Sequence, residues 1–544
     1  MRTVSIFAIA ALISFVPDMI AVPRASLRRS PQALALHVLG QLFLFSLFMF
    51  LTARPVFSAV CSVALLVLMA VVSNAKFNTL REPFVFSDLS LFAQLFKHPR
   101  LYLPFLGART IAGAFGAMAL LGLGHWLEAP LEPYRWFSML LVIAVCVALG
   151  YRVAGQLPLT LDASVDQRRH GFFAMFVAYL LNGLRLSTPR RLRQMVECGP
   201  FAEQHFALGT TPAGRAYAGA ANDGDQASPA DAMLAADAWP DVIMIQSESY
   251  FDARRISGAI NPRLYTEFDR ACHESVSYGQ LTAPAWGANT MRSEFSVLTG
   301  LASEGLGYAR FYPYAFLRSS CPSLPNWFKR RGYMTRAIHP YYADFFGRHR
   351  VFPLFGFDRF QDVEHFTDAQ RSGPYVADAA VADAILGALD EAPRSQPRFV
   401  FAMTMENHGP FHLETLMRGE SKLRHTLGES ADWHELTVYL RHIENADAML
   451  GRLLTRLRAR RRPTVLCWYG DHVPALSGPF QALGVMPERS DYFIWRNFGA
   501  RPAHQQDARV ETLGTMVLDA MRAAGQCRQD NESEAATAYK TTDR

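Results

Sequence analysis

Lysine is scarce in this 544-residue chain: five residues (Lys76, Lys97, Lys329, Lys422 and Lys540) stand against forty-nine arginines. The arginines are scattered, and local pairs such as Arg28–Arg29 and Arg190–Arg191 lie beside apolar segments. Basic residues in such places meet lipid headgroups or set topology, so the formal charge of +6 is no nucleic-acid signature. Cysteine is also sparse, with seven residues, no CxxC and no His/Cys ligand spacing, which argues against a structural zinc site. Cys61 and Cys146 fall in apolar runs, whereas Cys272 and Cys321 either pair in an exported domain or stand as buried thiols. Internal repeats, a GxSxG elbow and Ser-His-Asp spacing are all missing.

Apolar residues are abundant, at 50% of the chain, and unevenly spread. The length asks for more than one domain. A hydrocarbon core about 30 Å thick needs about 20 apolar helical residues. Five segments meet that need, at about 3–22, 34–52, 55–74, 103–124 and 136–154, which predicts a transmembrane helical bundle over 1–160. The first has no clean small-x-small cleavage site after it and reads as an anchor rather than a signal peptide. The short run Phe172–Leu184, flanked by arginines, reads as an interfacial helix. Five spans with the N-terminus inside, or six with it outside, both export the C-terminal domain; the positive-inside rule favours the second. The 75–102 loop alternates aromatic and basic residues, either packing on the bundle or offering Arg81 to headgroup phosphates. Residues 207–238, rich in Ala, Gly and Asp, close the 161–238 juxtamembrane segment as a linker. The stretch 527–544 reads as a disordered tail.

Between them, 239–526 alternates apolar strands with helical stretches, predicting a mostly parallel sheet covered by helices. Candidate strands are Val242–Gln246, Met334–Ile338, Phe399–Met403 and Val465–Trp468. A helix is expected over about 433–459, where Leu436, Leu440, Ile443, Leu450, Leu453 and Leu457 make a core stripe. Ligands of open α/β sheets bind beyond the carboxyl ends of the strands. Those ends read Ser247–Glu248–Ser249, then His339, then Glu406–Asn407–His408, then Gly470–Asp471–His472. A Gly-Ala-Asn stretch sets Asn289 or Thr290 at a helix start, where exposed amides suit an ordinary cap or an anion such as phosphate. A Thr hydroxyl becomes a nucleophile only when activated, and Glu, Thr, Asp and His together suit Mg²⁺ or Mn²⁺, with Zn²⁺ less fitting. Such an ion stabilises an alkoxide and a phosphoryl group under attack.

The segments IQSESY, GANTMRSEFSVLTG, ENHGPF and WYGDH, in this order, resemble the lipoteichoic acid synthase and phosphoglycerol transferase family of the alkaline phosphatase/sulfatase superfamily. The resemblance covers most of 240–500 and implies an alkaline-phosphatase-like fold behind a membrane bundle. It further implies Thr290 as nucleophile, with Glu248, Asp471, His472 and the Thr290 oxygen as ligands of manganese or magnesium. His408 resembles the family's substrate-contacting histidine, and His339 and Arg348 sit where the family faces the phosphoglycerol headgroup. The tryptophan common two residues before that arginine is Phe346 here.

The implied reaction moves glycerophosphate from phosphatidylglycerol, through a threonine-linked intermediate, to a glycan or polyglycerolphosphate acceptor, at a bacterial inner membrane with the catalytic domain outside the cytoplasm. A phosphoethanolamine transferase shares this chemistry but usually carries several disulfides. A sulfatase proper needs Cys or Ser followed by x-Pro-x-Arg, a pattern that 239–526 lacks; Cys321 there is followed directly by Pro322. A non-catalytic membrane binding protein would have lost a ligand, and all four are present.

Overall fold

The computed structural model describes residues 2–90, 108–131, 133–202, 239–393, 395–499 and 502–521. The 207–238 linker, the 527–544 tail and part of the 75–102 loop, all read from sequence, lie outside the described residues. The chain forms two compact units, one of Met1–Arg190 with Gly307–Phe311, the other of Arg191–Leu306 with Tyr312–Arg544.

In the first unit, four helices among the described residues are long and apolar enough to cross a membrane: Arg2–Ile20, Pro31–Thr52, Pro55–Leu80 and Phe137–Ala154. They correspond to four of the five expected segments. The fifth, 103–124, begins outside the described residues and continues as the helix Ala108–Leu127. Pro31 and Pro55 open their helices at a position where the missing N–H costs nothing. The Ser30 hydroxyl caps the first of the two by accepting from Ala33 N at 3.2 Å. Polarity is reversed relative to a water-soluble bundle. Leu12, Leu51, Leu68 and Leu141 point outward, while Ser14 meets His37 at 2.9 Å and Gln41 donates to Ser62 at 2.9 Å inside. The helix Phe172–Gly183, expected at the interface, buries nine of its twelve residues and packs Ala174 and Ala178 beside Leu36 and Leu157. At about 18 Å it is too short to span.

Among the described residues, the second unit is built on a nine-stranded mixed sheet. Its strands are β1 (Asp241–Ser247), β2 (Ser277–Thr282), β3 (Met334–Ile338), β4 (Arg359–Gln361), β5 (Arg398–Met403), β6 (Thr464–Gly470), β7 (Ser490–Arg496), β8 (His504–Gln505) and β9 (Ala508–Arg509). The order is β8-β2-β7-β6-β1-β5-β3-β4, with β9 also on β2. β6, β1, β5, β3 and β4 run parallel, with Val242 in register with Val465 on one side and Phe399 on the other. β7 is antiparallel to β6 and to β2. All seven residues of β1 are buried, as expected of a central parallel strand covered on both faces. The four strands read from sequence are all present, each within two residues of its expected ends, and the long helix runs His434–Arg458 with its leucine stripe in the core.

One buried polar cluster ties that helix to the end of β5. His442 bridges Glu406, at 3.2 Å from Nδ1, and Glu414, at 3.0 Å from Nε2. Burial alone would lower this imidazole, yet the two carboxylates raise it from 6.5 to about 9. The folded value lies above the unfolded one. The bridge therefore contributes its full stability below pH 6.5 and loses it as pH rises through 9. Thermal unfolding of the full chain across pH 6–10 is expected to show this loss, and His442→Gln to flatten it.

Candidate active site

Because five strands run parallel, their carboxyl ends open on one edge, and the charged residues beyond them meet there. Glu248 follows β1, held by its N–H donating to Thr404 Oγ1 at 3.0 Å and its carbonyl accepting from Asn407 Nδ2 at 3.1 Å. Asp471 and His472 follow β6. Close approach of these two turns requires glycine at 470, since a Cβ there would lie 1.9 Å from the Tyr250 carbonyl oxygen. One ligand atom each from Glu248, Asp471 and His472, all buried, lies within 4.8 Å of the others.

The donor atoms converge with lone pairs inward. His472 Nδ1 donates to the Val473 carbonyl at 3.0 Å, which leaves the Nε2 lone pair toward Asp471 Oδ2 at 3.2 Å and Glu248 Oε1 at 3.7 Å. Asp471 Oδ1 accepts from the N–H of Ser249 at 2.9 Å and of His472 at 3.0 Å, whereas Oδ2 accepts nothing among the described residues. Burial, then repulsion from Asp471, pushes the Glu248 carboxyl up to about 8. A buried oxygen without a donor, facing a second carboxylate and an imidazole lone pair, is the arrangement a divalent cation satisfies. Two carboxylates and one imidazole fit Mn²⁺, Mg²⁺ or Zn²⁺ by donor type.

Thr290 stands at the same place. It is the first residue of the helix Thr290–Thr299, entered through Asn289 in the left-handed region at φ 66°. Its Oγ1 lies 3.5 Å from His472 Nε2. Ser293, one turn on, donates to the Asp471 carbonyl at 2.7 Å and binds the helix to the β6 turn.

His339, after β3, accepts at Nε2 from Arg348 Nη1 at 3.1 Å, and its Nδ1 has no partner among the described residues. Burial and the Arg348 charge hold this imidazole neutral, well below its ordinary value. Arg348 itself is buried and forks onto Glu294 of the Thr290 helix, with Nε 3.0 Å from Oε2. Its guanidinium lies 5.2 Å from the Phe346 ring centre. His408, after β5, donates from Nδ1 to the Gly409 carbonyl at 2.6 Å, leaving Nε2 as a lone pair. Tyr375 donates to the same carbonyl at 3.1 Å. Burial lowers His408.

Glu406, two residues before His408, does not join the site; it accepts from the Asp378 N–H at 2.7 Å and from His442. Sequence reasoning gave no role to Glu294, Ser249 or Tyr375. Glu294 alone left a signal, lying four residues after Thr290 on the same helix face. Cys272 and Cys321 are free buried thiols.

The Sulfatase family model matches residues 240–523, just over half of the chain. The chain belongs to the Sulfatase family. Among curated relatives, the capsular polysaccharide biosynthesis protein RkpI of Rhizobium meliloti (strain 1021) is 28% identical over 507 residues, covering 88% of this chain and 85% of that protein. A putative cyclic beta-1,2-glucan modification protein of the same organism is 32% identical over 248 residues, 45% of this chain and 38% of that protein. Among solved structures, the Streptococcus pyogenes phosphoglycerol transferase GacH, in complex with sn-glycerol-1-phosphate, aligns with TM-score 0.46 at 21% identity, over 61% of this chain and 81% of that one. The lipoteichoic acid synthase LtaP from Listeria monocytogenes aligns with TM-score 0.41 at 19% identity, over 51% and 70%.

Removing one partner of the buried Arg348–Glu294 pair strands the other charge, which costs about 3–5 kcal/mol. Glu294→Ala is expected to lose stability on that scale in denaturant unfolding, and Glu294→Leu with Arg348→Met to lose less than the two single changes added.

Proposed function

We propose that this Sulfatase-family chain is a membrane-anchored phosphoglycerol transferase, moving glycerophosphate from phosphatidylglycerol to an envelope glycan or polyglycerolphosphate. The observation that carries the reading is the convergence of the Thr290 hydroxyl with the lone pairs of Glu248, Asp471 and His472 at the carboxyl edge of the sheet. The motif resemblance supports the lipid donor. The likeness to RkpI, named for capsular polysaccharide biosynthesis, runs along 88% of this chain and supports an envelope glycan acceptor. Four span-length apolar helices support a multi-pass anchor, and the motif resemblance supports a bacterial inner membrane with the catalytic unit outside the cytoplasm.

Glu248, Asp471, His472 and the Thr290 oxygen would hold one divalent cation, Mn²⁺ or Mg²⁺, which supplies positive charge favouring ionised Thr290 and offsetting phosphoryl oxygens. In the first step Thr290 Oγ1 gives up its proton and bonds to the phosphorus of the donor, the phosphorus–oxygen bond to diacylglycerol breaks, and the departing oxygen takes up that proton by way of water. In the second, an acceptor hydroxyl attacks the glycerophosphoryl-threonine and Thr290 is released. His408 Nε2, its lone pair freed by the Nδ1 bond to Gly409, takes the acceptor proton. His339 Nδ1–H and Arg348 face the glycerol headgroup.

Purified full-length chain with Mn²⁺ is expected to release diacylglycerol from fluorescent phosphatidylglycerol and to stop in Thr290→Ala; release persisting in that variant would reject the nucleophile. Turnover of phosphatidylethanolamine instead would assign a phosphoethanolamine transferase. Because burial lowers His408, it remains an unprotonated base below its ordinary 6.5. The acid limb of kcat is therefore expected below pH 6.5, and His408→Gln to remove it.

A further inference from the structure

Large apolar side chains scattered singly over a surface need no explanation; their concentration at one edge does. Among the described residues of the second unit, five such side chains are half or more exposed: Tyr342, Leu413, Met417, Leu423 and Met486. Each lies at the carboxyl edge of the parallel strands. Tyr342 is three residues beyond His339, after β3. Leu413, Met417 and Leu423 belong to the segment that continues from His408, after β5. Met486 precedes β7, whose antiparallel course brings its start to this same edge, and Pro487 beside it accepts from Trp286 Nε1 at 2.9 Å, four residues before Thr290. Apart from Leu423 on the short helix Glu420–Arg424, the helices of the unit and its opposite edge carry none among the described residues.

Charge is sorted in the same segment. Between Leu413 and Leu423 the acids turn inward: Glu420 pairs with Arg441 at 2.6 Å and Glu414 with His442 at 3.0 Å. Its bases Arg418 and Lys422 are exposed between the apolar tips, Lys422 with Glu429 at 3.7 Å. Apolar tips with interleaved bases, around a site mouth, match the interface of an anionic bilayer.

We propose that this rim, centred on Leu413–Leu423, docks on the anionic surface of the bilayer in which the chain is anchored, holding the site mouth at headgroup level. The proposal rests on the membrane attachment put forward above and not on the identity of the donor headgroup. Full-length chain with Cys198→Ser and Cys527→Ser is to be reconstituted in vesicles of phosphatidylglycerol and phosphatidylcholine. A fluorophore is then placed singly at Met417→Cys, Leu423→Cys or, at the opposite edge, Arg461→Cys. Doxyl-labelled lipid is expected to quench the probes at 417 and 423 and spare the one at 461, with quenching reduced when phosphatidylglycerol is omitted. Co-flotation of the chain with all three probes equally unquenched would overturn the rim and leave the anchor standing. Failure to co-float would overturn both. Cross-linking of two chains through 417 in place of quenching would assign the rim to a second copy and overturn the bilayer. Quenching at 417 and 423 without any turnover of phosphatidylglycerol would support the rim while rejecting the donor.

Discussion

Two carboxylates that repel each other sit at the centre of this molecule. Adjacent parallel strands end at Glu248 and Asp471, and the register of β1 with β6 leaves them no room to separate. Ser249 softens the clash, donating from its hydroxyl to Glu248 at 2.9 Å and from its N–H to Asp471 at 2.9 Å, but one Asp471 oxygen remains bare. Arg348 lies close enough to Glu248 to favour its charge, yet its fork is spent on Glu294. The fold therefore builds a buried negative charge and commits the neighbouring guanidinium elsewhere, which is the electrostatic form of a cation site.

Much of the surrounding structure serves to hold that arrangement. The small residue at 470, the left-handed turn at Asn289 and the Ser293 bond to the Asp471 carbonyl all help to bring Thr290 against His472. On the other side, Glu294 joins the Thr290 helix to Arg348 and thereby fixes which nitrogen of His339 carries the proton. His408 is set the same way by a carbonyl. Three histidines, His339, His408 and His472, each oriented by a fixed neighbour, give the site its directional donors and acceptors.

The central strands were legible because parallel strands covered on both faces read as unbroken apolar runs, and β1, β3, β5 and β6 all do. Their polar sequels, Glu248, His339, His408 and Asp471–His472, were legible for the same reason, as the parallel direction sends them to one edge. β2 and β7 were not read. SYGQLT is half polar, and the apolar run of SDYFIWR has no polar sequel of the kind that drew attention elsewhere. Tyr375 was hidden because its partner, the Gly409 carbonyl, lies 34 residues away, and Glu294, though in phase with Thr290, gave no sign of its partner Arg348, 54 residues on. Glu406 misled in the opposite sense: it sits in a site-like motif, and His442, 36 residues on, draws its side chain into the core.

Binding of Mn²⁺ to the purified full-length chain, monitored by the loss of the free-ion electron paramagnetic resonance signal, tests the centre directly. The account predicts one tightly held ion per chain, lost in Asp471→Asn and in Glu248→Gln while the circular dichroism spectrum is unchanged. Undiminished binding of that ion in both variants would contradict it.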